Sequence, residues 1–481
     1  MAIRVLSLPS ESEARKRNPN RQPAVSLLSG KPSSFLVRWG QGKIFVLRTY
    51  GCQANVRDSE ILRSFLLSLG MKESDSFDEA DLILFNTCAV RANAENHLYG
   101  EVGLAKRRLE SNPDVLIGIC GCVMQEEGPV KYVLKHFPFV RLLFGTNDLG
   151  SFYSLLEASL KGRDTLVDIT PWSDTVLEMP EERKDSRESK VSAFVNIMYG
   201  CDKFCTYCIV PYTRGPERSR KEEDILAEVR RLKDEGYKQV TLLGQNVDAY
   251  GKDFGDEYAF AKLLKDVADT GIERIRFTSP YPSDFNEQVF EVMKACPNIM
   301  PSLHMPLQSG SDRVLKSMNR RYDRSQYLQI VKDFRKNLPD AFLTTDLIVG
   351  FPTETEEDFQ ETLSLVREVS YDAAYTFIFS PREGTPAARM KNVASEEEIK
   401  KRFLVLKDLI DELTEKRART FVGMEVKVLF EKPSDRDPSL ISGYEEHGKL
   451  VHVKGERSLI GTIRKVRILE SHTYSLIGEL C

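Results

Sequence analysis

The sequence lacks an excess of either charge: 68 Lys and Arg stand against 72 Asp and Glu, a formal net charge of -4. It therefore makes no global electrostatic case for nucleic acid, and any RNA contact has to come from a local basic patch. An apolar run near the roughly 20 residues that a membrane helix needs is also missing, and no signal-peptide core opens the chain, so no membrane partner is expected. The nine cysteines are clustered and odd in number, without the scatter of a secreted disulfide scaffold, and a cytoplasmic, reducing location is expected. Residues 1–42 have little periodicity. They read as a mobile arm, mildly basic through Arg15, Lys16, Arg17 and Arg21, either plainly disordered or an auxiliary RNA contact. What the chain does have is apolar side chain: 41% of 481 residues, enough for the cores of two or three domains.

Three of the thiols fall within Gly200-Cys201-Asp202-Lys203-Phe204-Cys205-Thr206-Tyr207-Cys208, with an aromatic before the last. A closed structural zinc site uses four protein ligands, and no second cysteine or histidine pair follows at zinc-ribbon spacing. Three thiolates on one short loop can instead hold three irons of a cubane cluster and leave the fourth iron open to a substrate or cofactor. A zinc loop or a bare thiol loop is the alternative at this stage.

From Lys43 the chain alternates. Lys43–Arg48, Leu82–Asn86, Leu116–Cys120 and Val140–Phe144 have strand character, and Asp58–Leu69, about Ala92–Leu109 and Gln125–His136 have helical spacing. The alternation implies a doubly wound parallel sheet over residues 43–160. Cys52, Cys88 and Cys122 each lie just past a strand end. In such sheets the C-terminal ends share one edge, where ligands bind, so three thiols far apart in sequence are expected to converge into a second three-cysteine cluster. Cys120, two residues before Cys122, could face the same side of an extended segment; it is read as core only through the resemblance of the Gly121-Cys122 pair given below. Residues 161–190, with Pro171, Pro180 and the run Glu181-Glu182-Arg183-Lys184-Asp185, read as a linker.

A second alternation fills residues 191–418, with strands at Ala193–Met198, Gln239–Leu243, Arg274–Phe277, Ser302–Met305, Phe342–Val349 and Ala373–Phe379. Six strand-helix units argue for a full or partial α/β barrel whose active site lies at the strand C-termini, and the loop of Cys201, Cys205 and Cys208 follows its first strand. Gln245 and Asn246, Thr278 and Ser279, Gln308 and Ser309, Asp346 and Ser380 share that address; loop capping is the alternative for each. His304 reads as a base or as a hydrogen-bonded strand residue. Cys296 and Cys481 have no partner spacing and read as inert. The charged helix Ser395–Arg419 leads to residues 419–481, where short strands at Glu425–Phe430, Lys449–Val453, Leu459–Gly461, Thr462–Leu469 and Tyr474–Gly478 suit a small β-barrel. Arg464, Lys465 and Arg467 there are either a phosphate-facing stripe or a solvated strand face.

The cysteine spacing, the flanks Ala193–Met198 and Ile209-Val210-Pro211-Tyr212-Thr213-Arg214-Gly215, and the stretches Thr49-Tyr50-Gly51-Cys52-Gln53-Ala54-Asn55, Asn86-Thr87-Cys88-Ala89-Val90-Arg91 and Gly121-Cys122-Val123-Met124-Gln125 resemble the radical S-adenosylmethionine (SAM) methylthiotransferases, in particular their tRNA-modifying MiaB type. Leu243–Val247, His304–Gly310 and Thr345–Pro352 resemble that family too, and the last 60 or so residues resemble a TRAM domain, an RNA-binding barrel. The resemblance implies two 4Fe-4S clusters, one on Cys201, Cys205 and Cys208 that chelates SAM, and a sulfur-delivering one on Cys52, Cys88 and Cys122. It further implies SAM contacts by Tyr207, Gln245, Ser279, Gln308 and Asp346. The implied reaction is methylthiolation at C2 of N6-(dimethylallyl)adenosine at tRNA position 37, with SAM as both methyl donor and radical source. The partners implied are tRNA, an electron donor such as flavodoxin or ferredoxin, and a supplier of sulfur or clusters, with the chain acting as a monomer. Within the same chemistry, threonylcarbamoyl-adenosine in tRNA and a ribosomal-protein aspartate are the alternative substrates. A non-catalytic RNA-binding protein with structural metal is the alternative of a different class.

Overall fold

The computed structural model describes residues 12–13, 24–27, 31–90, 92–171, 173, 175–178, 186–435 and 437–481. Arg15, Lys16, Arg17 and Arg21 of the arm, and Pro180 and residues 181–185 of the expected linker, lie outside them. The chain forms two compact bodies. The first comprises Met1–Glu188, Met198–Arg220 and Arg382–Ala388, and the second Ser189–Ile197, Lys221–Pro381 and Arg389–Cys481.

The first body is built on a parallel sheet of six strands among the described residues: β2 (Ile44–Tyr50), β3 (Lys72–Glu73), β4 (Leu82–Thr87), β5 (Leu116–Gly121), β6 (Leu142–Phe144) and β7 (Leu166–Asp168), in the order β3-β2-β4-β5-β6-β7. β4 and β5 are buried at every position, as expected of strands covered on both faces. Alternate side chains serve two cores: Leu84, Leu116 and Leu142 join one with Ile61, Phe65 and Phe152, while Ile83, Phe85 and Ile117 join another with Leu98, Val102 and Val130. That is the doubly wound fold expected from the alternation. The order reverses between β2 and β4, and the crevice at such a switch point is where ligands bind in open sheets of this kind.

Two boundaries differ from the sequence reading. Ser34–Gly40, placed in the arm, is a helix capped by Ser33 and anchored by the fully buried Leu36. Leu166–Asp168, placed in the linker, is the sixth strand, paired with β6. Two or three apolar residues beside prolines and charges carry too little pattern to mark a strand; the pairing is decided by the free edge of β6. Thr175–Glu178, also in the expected linker, is β8 and pairs in parallel with β1 (Ala24–Leu27).

In the second body β9 (Ser192–Asn196), β12 (Gln239–Leu243) and β13 (Arg274–Phe277) form one parallel sheet. β14 (Ser302–His304), β15 (Phe342–Val349) and β16 (Ala373–Ile378) form another, and an isolated parallel bridge joins Ile275 of β13 to Ile299, three residues before β14. These are the six strands of the expected partial barrel. On β15, Leu343, Thr345, Leu347 and Val349 are buried while Thr344, Asp346 and Ile348 are half-buried, so the second set lines the inner face. The helix Glu396–Arg419 starts at a capping box of Ser395 and Glu398, and leads into a closed barrel ordered β17-β18-β19-β21-β20. Its strands are β17 (Glu425–Pro433), β18 (Leu440–Glu445), β19 (Leu450–Lys454), β20 (Ile463–Ser471) and β21 (Ser475–Leu480). The expected strand Leu459–Gly461 is instead part of a tight turn at Arg457–Leu459 and the residues after it. β18 carries no strand signal in the sequence because Gly443 interrupts its pattern. An added Cβ there would lie 1.8 Å from the Leu429 carbonyl oxygen, so this strand needs a glycine where β17 crosses closely.

Candidate metal centres and cofactor residues

Cys52, Cys88 and Cys122 stand at the C-terminal ends of β2, β4 and β5. The sheet carries all three to one edge, with Cys52 and Cys88 on the two sides of the switch point. Cys52 is the N-cap of the helix Gln53–Ser68, and Val56 N–H donates to its carbonyl at 3.1 Å. The start of that helix is pinned to β4 by a pair of asparagines: Asn55 Nδ2 donates to Asn86 Oδ1 at 3.2 Å, and Asn86 Nδ2 returns a bond to the Asn55 carbonyl at 2.9 Å. Cys122 follows Gly121, whose φ of 101° belongs to the left-handed region that glycine adopts without strain.

The thiols feel one another. A hydrogen bond from the Cys88 thiol is the largest influence on Cys52 and pulls it down to about 5 against the cost of burial; the charge of Arg214 and the N–H groups of Asn55 and Ala54 assist. Cys88 moves in the opposite direction, raised by that same bond, by burial, and by the charges of Cys52 and Cys122. Burial pushes Cys122 up to about 11, opposed by Arg214. Close-set thiols oppose one another's ionisation, so Cys52 ionises readily while Cys88 and Cys122 are held protonated. Cys120 points the other way, into the core with Phe45, Leu84 and Phe144.

The second triad sits on a clamped loop. Its base is an antiparallel pair, β10 (Met198–Tyr199) with β11 (Arg218–Ser219). Cys201 N–H donates to the Gly215 carbonyl at 3.1 Å, and Cys208 N–H to the Cys205 carbonyl at 2.9 Å. Phe204, between the first two cysteines, has φ 48°, a strained conformation that concentrates at functional sites. Cys201 lies well above the usual thiol range, from burial first and then from the charges of Glu217, Cys208 and Cys205. Ala387 N–H, from the segment Arg382–Ala388, donates to the Thr206 carbonyl at 2.9 Å, beside Tyr207.

The loop packs against the first triad. Phe204, Ile209 and Tyr212 form one apolar cluster with Ala89 and Cys122, and the rings of Phe204 and Tyr212 meet edge to face at 5.9 Å. Arg214 completes the contact. Its Nε donates to Cys122 Sγ at 3.2 Å and its Nη2 to Asp58 Oδ2 at 2.6 Å. Burial opposes the charge on Arg214, but Asp58, Cys122 and Cys52 outweigh it and raise its pKa. Neither Asp58 nor Arg214 had a role in the sequence reading. Asp58 looked like an ordinary first-turn residue, and nothing in the spacing links two residues 156 positions apart.

Each triad supplies three thiols, a donor set that three-point attachment of a cubane would take. Among the described residues no three His, Cys, Asp or Glu side chains are grouped tightly enough to share one metal ion, whereas in a cubane each thiolate binds its own iron and the sulfurs stand apart.

In the second body, Gln245, Ser279 and Gln308 follow β12, β13 and β14, and Asp346 lies on the inner face of β15. Ser279 and Gln308 have φ of 63° and 74°, strain of the kind that marks ligand-holding turns. Gln308 is held from both sides: its N–H donates to the Asp346 carbonyl at 2.8 Å, and its carbonyl accepts from Ile348 N–H at 2.9 Å. Asn246 Nδ2 donates to Asp284 at 2.7 Å, which fits a structural role. His304 is a hydrogen-bonded strand residue, with Nδ1 3.0 Å from Thr344 Oγ1 and Nε2 3.5 Å from Asp346 Oδ2.

Residues 195–366 match the radical SAM superfamily, residues 44–145 the uncharacterized protein family UPF0004, and residues 419–481 the TRAM domain. A protein of Geobacillus kaustophilus, tRNA-2-methylthio-N(6)-dimethylallyladenosine synthase, is 47% identical over 476 residues, covering 98% of this chain and 88% of the relative. The chain belongs to the tRNA-2-methylthio-N(6)-dimethylallyladenosine synthase family. Its Bacillus subtilis member is 46% identical over 477 residues, covering 98% of this chain and 92% of the relative. Among solved structures, the radical S-adenosylmethionine methyltransferase TsrM of Kitasatospora setae superposes with a TM-score of 0.53 over 72% of this chain and 75% of that one, at 12% identity, a likeness of fold. The resemblance read from the motifs is thus the family's, and each of the three matched regions covers most of one of the architectural units described above.

Proposed function

We propose that this chain methylthiolates C2 of N6-(dimethylallyl)adenosine at tRNA position 37, with SAM as methyl donor and radical source. The observation that carries the reading is the packing of the Cys201–Cys208 loop, through Phe204, Ile209, Tyr212 and Arg214, onto the body that holds Cys52, Cys88 and Cys122. Cys201, Cys205 and Cys208 hold one 4Fe-4S cluster, and Cys52, Cys88 and Cys122 the other. When bound, the clusters and SAM supply the one-electron chemistry and the sulfur that no protein side chain provides for an unactivated C–H bond. The residues do the rest. The apolar wall of Ala89, Phe204, Ile209 and Tyr212 excludes water beside Cys122 and keeps reactive species from side reactions. Tyr207, Gln245, Ser279, Gln308 and Asp346 are the proposed SAM contacts, the last four anchored at barrel strands.

Arg464, Lys465 and Arg467 are exposed on β20 and offer cations to RNA phosphates. No helix among the described residues is long and apolar enough to cross a membrane. The proposed setting is the cytoplasm, as a monomer supplied with electrons by a flavodoxin or ferredoxin and with sulfur by a cluster-assembly partner. Mass spectrometry of tRNA nucleosides from a strain lacking the protein tests the reading. The methylthiolated prenyl-adenosine should vanish and its precursor accumulate, and a plasmid copy should restore it while a Cys88→Ala copy should not. An unchanged nucleoside profile in the deletion strain refutes it.

A further inference from the structure

Arg214 is a cation buried to 6% exposure, named in the sequence only as part of the flank that carries the resemblance and given no role there. It stands at the C-terminal end of the short helix Val210–Thr213, six residues after Cys208, so its backbone belongs to the loop of the second triad. Its side chain belongs to the first. Nε–H points at Cys122 Sγ, 3.2 Å away, and Nη2 is held by Asp58 Oδ2 at 2.6 Å, where Thr146 Oγ1 also donates at 3.2 Å. Asp58 is 2% exposed and sits on the helix that begins at Cys52, so the carboxylate that aims the guanidinium is fixed to the same element as a neighbouring cysteine. Arg218 Nη2 donates to the Arg214 carbonyl at 3.2 Å, which tethers the backbone as well. The guanidinium is planar and its donors are fixed in direction, so locking Nη2 onto Asp58 aims Nε at the sulfur.

We infer that Arg214, aimed by Asp58, is a positioning residue for the Cys52–Cys88–Cys122 cluster: it donates an N–H···S bond to the Cys122 thiolate and raises that cluster's reduction potential. A hydrogen bond to a cluster sulfur withdraws electron density and favours the reduced, more negative form, and partners of this kind are a recognised control on Fe–S potentials. Because Arg214 hangs from the loop of the other triad, the ordering of that loop is coupled to the electronic state of this cluster. The inference rests on the two-cluster reading above.

The test uses the full chain carrying Cys201→Ala, Cys205→Ala and Cys208→Ala, reconstituted anaerobically so that only the Cys52–Cys88–Cys122 cluster is present, with a redox titration followed by electron paramagnetic resonance. This parent should hold about four irons; if it holds none, the two-cluster reading fails and not the role of Arg214. With the cluster loaded, Arg214→Gln should shift the potential to more negative values and Arg214→Lys by a smaller amount, since a lysine keeps the charge but not the fork. An unchanged potential in a fully loaded Arg214→Gln protein overturns the inference. Where Arg214→Gln loses iron, Arg214→Lys decides on the same criterion. Where both lose iron, an apo-protein that melts with the parent supports the positioning role, and one that melts early assigns Arg214 to folding alone.

Discussion

Replacing Asp58 with alanine removes the carboxylate that pairs with the buried Arg214 guanidinium among the described residues. The two side chains are 3% and 7% exposed and 2.6 Å apart, so bulk water replaces the lost partner poorly. Breaking a buried pair from one side costs about 3–5 kcal/mol, because it strands the remaining charge. Asp58→Asn keeps an acceptor of the same shape and should cost less, about 1–3 kcal/mol. Asp58→Ala with Arg214→Leu removes both charges, and such replacements of a buried pair by apolar groups are often close to neutral. The double variant should therefore be more stable than Asp58→Ala, with a favourable coupling of roughly 2–3 kcal/mol or less. The assay is hydrogen exchange on the apo-protein, read at amides of the helix Gln53–Ser68 and of β4, where local opening is measured without assuming that two bodies melt as one. A penalty below about 1 kcal/mol for Asp58→Ala, or a double variant less stable than either single one, refutes the account of this pair as buried and mutually dependent.

Four further outcomes follow from named contacts. Cys122→Ala should cut iron from about eight to about four per chain and keep SAM cleavage while abolishing methylthio product, whereas Cys120→Ala should leave iron unchanged and cost only about 1 kcal/mol from one buried atom; equal iron in the two variants refutes the division of roles. Cys88→Ala should match Cys122→Ala in the same iron and SAM-cleavage assays. Glu126 is raised from 4.5 to about 8, by burial first and then by the charge of Glu95. A carboxyl raised on folding contributes stability below the unfolded value and loses it as pH rises through the folded one, so first-body stability should fall by up to about 1.4 kcal/mol per pH unit across that window; Glu126→Gln should flatten the slope, as read by chemical denaturation at several pH values. Gly443→Ala forces a Cβ against backbone at 1.8 Å and should cost the C-terminal barrel at least about 1–3 kcal/mol, seen as early loss of exchange protection in β17 and β18.

Much of the site was legible in the chain. The alternation of apolar runs with helical periods places Cys52, Cys88 and Cys122 beyond three strand ends, and parallel strands in one sheet leave no other outcome than a shared edge. The spacing of Cys201, Cys205 and Cys208 marks three candidate ligands, and no cysteine or histidine pair follows them at zinc-ribbon spacing. Strands with unbroken patterns, such as Gln239–Leu243 and Arg274–Phe277, keep their sequence-derived limits. Where the pattern is broken or brief, the reading missed: β7 is three residues long, and β18 carries a glycine for the sake of a neighbour rather than for its own conformation.

What the sequence determined by itself is therefore the inventory and its local geometry: six candidate ligands in two sets of three, each at a strand end or on a tight loop. Only the tertiary structure decided that the two sets meet in one body through Ala89, Cys122, Phe204, Ile209 and Tyr212, that Cys120 faces the core while Cys122 faces the loop, and that Asp58 aims Arg214 at a sulfur. The physical reason is range. Periodicity and spacing record what a residue does with neighbours a few positions away, whereas a buried ion pair across 156 positions exists only once two helices and a loop have been packed out of water.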